Sequence, residues 1–244
     1  MPNVPAYLKA IRPPRSSGES YRLLLEHGGA YVTGTILDAC SSKRLTSLRD
    51  HLATKAGQLV SKPVPRDKIR VYQDLPASGQ TYYREILREQ AARCSPFSIT
   101  LTRPFLGGPR DTFPSSVSID VEGGPFSVVR RELVQAFNGV PTIGYYRIQR
   151  GTAYRPRIPI VHKVSNEVSR HLLHLLDAEL KREPLTITVI GFYMRLQKLR
   201  LPGPYTREGI IPQPPEFFPF SQGSLSTSEK LADTTTEESK GVVG

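Results

Sequence analysis

The sequence predicts an α+β protein of two pseudo-symmetric β-α-β-α-β lobes whose antiparallel sheets face a central cleft. Three observations carry this. Strand-like and helix-like stretches alternate through the body, the pattern of a mixed fold rather than a bundle or sandwich. A strand–helix–strand unit occurs twice, over 30–75 and over 117–161. Each copy is followed by a further helix and strand, so the rhythm repeats and places a cleft between related halves.

The elements follow in order. Ala30–Ala39 is rich in β-branched residues and reads as a strand. Leu45, Leu48, Leu52, Ala56 and Leu59 recur at helical spacing. Lys68–Leu75 is the second strand, and Pro76–Gly79 turns the chain. Tyr83, Ile86, Leu87 and Ala91 mark the second helix. Phe97–Phe105 and Val117–Glu122 are strands. Pro125 suits the first turn of a third helix, whose apolar face is Val128, Val129, Leu133, Ala136 and Phe137. Residues 139–154 read as a loop, and Arg157–Val161 as a strand. Ser165–Arg182 is a long helix through Val168, Leu172, Leu175 and Leu176, and the strand Leu185–Leu196 closes the body.

The chain divides by composition. Residues 1–20 form a Pro-, Arg- and Ser-rich leader that drapes over the fold. Residues 21–202 are the bilobal domain, with lobes over 21–110 and 111–202 between which strands can swap. A Pro/Phe-rich extension over 203–220 can pack along the body. Residues 221–244 are rich in Ser, Thr and Glu; they offer too little apolar surface to offset ordering and read as a disordered tail.

Of 244 residues, 38% are hydrophobic and 23% charged, which suits a packed globular core. No run approaches the roughly 20 apolar residues of a membrane span. The start, MPNVPAYLKAIRPPRSSG, lacks the apolar centre of a secretory signal, so the cytoplasm is the expected address. The formal net charge is +11, and arginine supplies 23 of the 33 basic residues. The guanidinium fork fits phosphate, so an anionic partner is one reading and a scattered, solubilising basic surface the other. Cys40 and Cys94 show no metal or redox spacing and read as free thiols.

Two segments then point to a family. YRPRIPIVHKVSNEVSRHLLHLLDAEL is similar to the second-motif region of the two-histidine phosphoesterase superfamily, the 2′-5′ RNA ligase-like and cyclic phosphodiesterase-like proteins. KIRVYQDLP resembles the first-motif region, and TGTILDACSSKRLTSLRDHL the strand before it. The likeness runs from about Ala30 to Tyr205. It implies a cleft in which one histidine of each lobe acts as base or acid, while Ser/Thr hydroxyls hold the phosphate, with no metal or other cofactor.

In this chain both motifs are degenerate. The resemblance places Lys68 and Arg157 at the histidine positions, and Arg70 and Pro159 at the hydroxyl positions. Arginine keeps its proton near neutral pH and cannot serve as a base. A lysine can, but only where burial or positive neighbours lower its pKa by several units. Arg70, two residues on, shares the strand face of Lys68. Proline brings no hydroxyl and no N–H.

The implied protein is catalytically silent and binds an RNA end, a nucleotide or another small phosphate ester. Lys68, Arg70 and Arg157 would line the basic cleft, with Arg147, Arg150 and Arg155 at its entrance. His162 lies on the opposite strand face from Arg157 by simple alternation; it reads as a solvent-facing strand end, or as a displaced catalytic group after a register shift. Two other functions stay open. One is an enzyme of changed chemistry on a small metabolite, working through Lys68 or His162. The other is an interaction scaffold pairing the basic body with the Ser/Thr-rich tail.

The remaining motifs are weak. His171 and His174 are three apart on a helix but have no accompanying ligand set, so no metal is expected. LGGPR and GGP lack nucleotide-cradling spacing and read as turns. Tyr145 and Tyr146 could stack a base beside Arg147, or simply pack. Oligomeric state is not legible.

Overall fold

The computed structural model describes residues 3–55, 68–107, 115–121, 123–144, 156–199 and 210–221. Two short helices open it, α1 (Ala6–Lys9) and α2 (Ser17–Glu26). Strand β1 (Ala30–Leu37), α3 (Ala39–Lys55), β2 (Lys68–Pro76), a 3-10 turn (Ala77–Gly79) and α4 (Gln80–Arg93) follow. Then come β3 (Phe97–Leu101), β4 (Arg103–Gly107), β5 (Ser115–Asp120), α5 (Gly124–Ala136), β6 (Arg157–Val164), α6 (Asn166–Arg182) and β7 (Leu185–Leu199). Strands β8 (Ile210–Pro212) and β9 (Glu216–Pro219) close the described chain.

The strands form two antiparallel sheets, as the α+β reading expects. The first has the order β2-β1-β7-β3, and β8 and β9 also pair with β7. β7 is long enough to hold β1 along one side, with β3, β9 and β8 end to end along the other. The second sheet has the order β4-β5-β6. Edge strands β2 and β6 touch, and one continuous core runs beneath both sheets through Ile69, Val71, Val117, Ile119, Ile158 and Phe192.

Several expectations need correcting. The strand read over Phe97–Phe105 is two strands: the chain leaves β3 in the first sheet at Leu101 and enters β4 in the second at Arg103. The leader is not only drape, because it includes α1, whose Leu8 is fully buried, and the start of α2. Ser16 caps α2 by accepting from the Glu19 N–H at 3.1 Å. Ser221, read as the start of the tail, is tied down by its N–H donating to the Ala91 carbonyl at 3.3 Å. Residues 222–244, with the disorder expected there, lie outside the described residues.

Helix α6 joins the halves. The Ser165 hydroxyl caps it by accepting from the Val168 N–H at 3.2 Å, and Lys181 and Arg182 complement the dipole at its far end. On α6, Glu179 accepts from Lys55 Nζ at 2.6 Å and meets His51 Nε2 at 3.2 Å, both from α3. The lysine and histidine hydrogen bonds hold its carboxyl down at about 2. A carboxyl depressed in the folded state stabilises fully above its unfolded value near 4.5, and that contribution is lost as pH falls from there towards 2. Glu179→Gln should therefore lower stability at neutral pH and flatten the acid limb of a stability–pH curve across that window. Acid limbs of equal slope in both proteins would show that the clasp contributes nothing.

Candidate functional site: a pair of bulged edge strands

The strands carrying the motif positions share an unusual geometry. In β2, Lys68, Ile69 and Arg70 pair with Ile36, Thr35 and Gly34. Tyr72 then pairs with Thr33, so Val71 is an extra residue and the strand bulges. In β6, Arg157 pairs with Asp120, and Pro159 with Ser118. Val161 then pairs with Val117, so Ile160 is the extra residue. Each bulge falls immediately after the second motif position. A β-bulge bends the strand and re-aims its side chains, and bulges gather beside functional sites. Their matching placement marks β2 and β6 as equivalent strands of the two halves.

Burial assigns the faces. Ile69 and Val71 are buried beneath the helices, while Lys68 and Arg70 are half-buried on the other face of β2. Lys68 Nζ lies 5.9 Å from the centre of the Tyr193 ring on β7. Arg70 Nη1 donates to Gln73 Oε1 at 2.6 Å. On β6, Ile158 and Ile160 are buried, while Arg157 and Pro159 are half-buried. The Arg157 guanidinium carbon sits 5.5 Å from the Phe105 ring centre, a spacing in the range of cation–π contact. The Ser118 hydroxyl, opposite Pro159, is buried without a hydrogen-bond partner.

The bulge at Ile160 changes the reading of His162. Simple alternation from Arg157 put it on the opposite face. The extra residue interrupts that alternation, and the register pairs position 162 with Ser116. Arg147, Arg150, Arg155, Tyr145 and Tyr146 lie outside the described residues. His171 and His174 are exposed on α6. Among the described residues no cluster of three His, Cys, Asp or Glu could hold a metal ion. Cys40 and Cys94 are both free. A recess of about 850 Å³ lies between 10–15 and α2 and is lined by Arg12, Arg15 and Arg22; none of its lining residues belongs to β2 or β6.

No protein-family model matches the sequence, and no curated protein matches it. Solved structures do. The chain is similar to protein TT0787 of Thermus thermophilus, at 14% identity and a TM-score of 0.52 over 79% of this chain and 99% of that one. The chain shares the fold of that protein. It is also similar to Kluyveromyces marxianus Usb1, at 10% identity and a TM-score of 0.44 over 80% of this chain and 100% of that one. E. coli LigT complexed with 3′-AMP gives 16% identity and a TM-score of 0.43 over 80% and 98%.

Sequence reasoning missed the residues that surround the motif positions without carrying a motif. These are Gly34, Gln73, Asp74, Phe105, Ser118 and Tyr193. Only Gly34 left a signal, since a lone glycine inside a β-branched strand marks a bulge or a close backbone approach. No helix among the described residues is long and apolar enough to cross a membrane.

Proposed function

We propose that this protein binds a phosphate-bearing ligand, an RNA end, a nucleotide or a small phosphate ester, between β2 and β6, and that it has lost two-histidine acid–base catalysis. One observation carries the reading. The two equivalently bulged edge strands hold Lys68 and Arg70 on one side and Arg157 on the other, on the faces turned away from the core. These cations suit phosphate oxygens through charge-assisted hydrogen bonds. The guanidinium at position 157 cannot take a proton from a hydroxyl or water. Arg147, Arg150 and Arg155 extend the same charge if they border the entrance. The cytoplasm remains the proposed compartment.

A short RNA ending in a 2′,3′-cyclic phosphate, offered without metal at neutral pH over a salt series, tests this. Binding should fall steeply with salt and no product should form. Arg70→Ala and Arg157→Ala should each weaken binding about tenfold or more, the scale of one lost charged hydrogen bond. Unchanged affinity in both variants would remove the site from this cleft.

A second reading has its own observation, the bulge between Arg157 and position 162, which interrupts the alternation that set the two apart. A histidine there could serve as an acid or base in altered chemistry. Turnover of the cyclic phosphate that His162→Ala abolishes would favour it over the silent cleft.

A further inference from the structure

We infer that Gln73 and Asp74 are positioning residues that hold the Arg70 guanidinium in its binding orientation, so that the cation is set by a built relay rather than by rotamer preference alone. This rests on the phosphate-binding reading and names how that site is tuned.

The relay has a fixed polarity. A guanidinium only donates, so it turns the Gln73 amide oxygen towards itself, at 2.6 Å from Arg70 Nη1. The amide nitrogen must then find an acceptor, and it donates to Asp74 Oδ2 at 3.2 Å. A neutral amide placed between cation and carboxylate anchors the arginine without a direct ion pair. The guanidinium is therefore not neutralised at contact distance, and its remaining N–H groups stay available to an anion.

The backbone shows that Asp74 is held there at a cost. It is the one non-glycine with positive φ among the described residues, at 59°. Gln73 and Asp74 together form a second bulge, since Leu75 pairs with Tyr31 and Tyr72 with Thr33. The bulge is pinned from outside. The Ile143 N–H donates to the Asp74 carbonyl at 2.8 Å, and the buried Ser20 hydroxyl donates to the Ile143 carbonyl at 2.6 Å. Gly144 lies so close that an added Cβ would fall 2.1 Å from Asp74 Oδ2. Burial pushes the Asp74 carboxyl above its ordinary range, against the lowering effect of the Gln73 amide and the Arg70 charge. A left-handed backbone and a half-buried carboxyl, held by Gly144 and by the Ile143 and Ser20 hydrogen bonds, point to a part the fold maintains for its position.

The test is calorimetric titration of the full chain with inorganic phosphate at low salt, alongside urea unfolding. Gln73→Leu should weaken phosphate binding about tenfold with an unchanged urea midpoint, and should add nothing in an Arg70→Ala background. Asp74→Gly keeps the left-handed backbone, so it should fold well yet bind less tightly; Asp74→Asn restores an acceptor and should recover most of that loss. Gly144→Ala should reproduce the Asp74→Gly defect from outside the cleft. Wild-type affinity in both Gln73→Leu and Asp74→Gly, or losses additive with Arg70→Ala, overturns the relay while leaving the cleft. Failure of Arg70→Ala to weaken phosphate binding, or no binding by the wild-type chain, overturns the cleft reading and the relay with it.

Discussion

Gly34→Ala should destabilise the protein by about 3 kcal/mol and abolish the ordered placement of Arg70. A Cβ at position 34 would lie 2.0 Å from the Ile69 carbonyl oxygen, 2.8 Å from the Val71 nitrogen and 2.9 Å from the Arg70 Cα. All three are backbone atoms, so no side chain can swing aside to relieve the overlap. The bulge after Arg70 presses β2 onto β1 at this point, and only a residue without a Cβ fits beneath it. The mutant must either open the bulge or unpair the β1–β2 edge. Either route loses ladder hydrogen bonds beside buried Ile69 and Val71. Gly18→Ala is the control: it sits in α2 with only the Ser16 hydroxyl near, at 3.9 Å, and should be neutral or slightly stabilising. Urea midpoints for the two variants decide the matter. Equal midpoints would mean that the bulge relaxes freely and imposes no constraint on Arg70.

The same bulges explain what the sequence could and could not reveal. Periodicity found most of the core elements because each helix or strand buries one face. Leu172 and Leu176 of α6 and Val129 and Leu133 of α5 are buried where the spacing put them. A bulge is a count of residues across two strands, and a single strand holds no record of its partner's count. Val71–Tyr72 and Ile160–Val161 simply read as adjacent apolar pairs, so simple alternation runs through both bulges without a sign of them. Sheet membership was hidden for the same reason. Repeat order predicts elements in sequence, whereas the pairing of β7 with β1 and the crossing at Thr102 from β3 to β4 depend on contacts distant in the chain. Helix α2 has a sequence signal of its own. Ser16 followed three residues later by Glu19, ahead of Leu23 and Leu24, is a capping-box start that the Pro and Arg content around it masks. The site divides likewise: the resemblance points to Lys68, Arg70 and Arg157, but the rings that Lys68 and Arg157 meet, Tyr193 and Phe105, come from other strands.

Phe220→Ala should cost about 3–5 kcal/mol, a large part of the stability of an ordinary domain. The Phe220 side chain stacks on Phe97 at 6.0 Å between ring centres and meets Phe192 edge-on at 4.9 Å. It is 4% exposed, although it lies in a Pro- and Phe-rich stretch near the end of the described chain. Its backbone N–H donates to the Ile190 carbonyl at 3.0 Å, and β9 pairs with β7 from Gly191 to Met194. Arg84 of α4 adds a 2.7 Å ion pair with Glu216, exposed enough at both partners to contribute little by itself. The segment thus closes the side of β7 opposite β1 and ties it to α4. Truncating the ring empties a space shared by β3, β7 and β9, walled by two other aromatic rings that cannot bend to fill it. The urea midpoint should fall sharply with an unchanged slope, because the surface exposed on unfolding stays nearly the same. Since β7 also carries Tyr193 beneath Lys68, phosphate affinity should fall only near the new midpoint, where the fold itself is lost. An unfolding free energy within about 1 kcal/mol of wild type would make the extension a surface appendage rather than a structural edge of the first sheet.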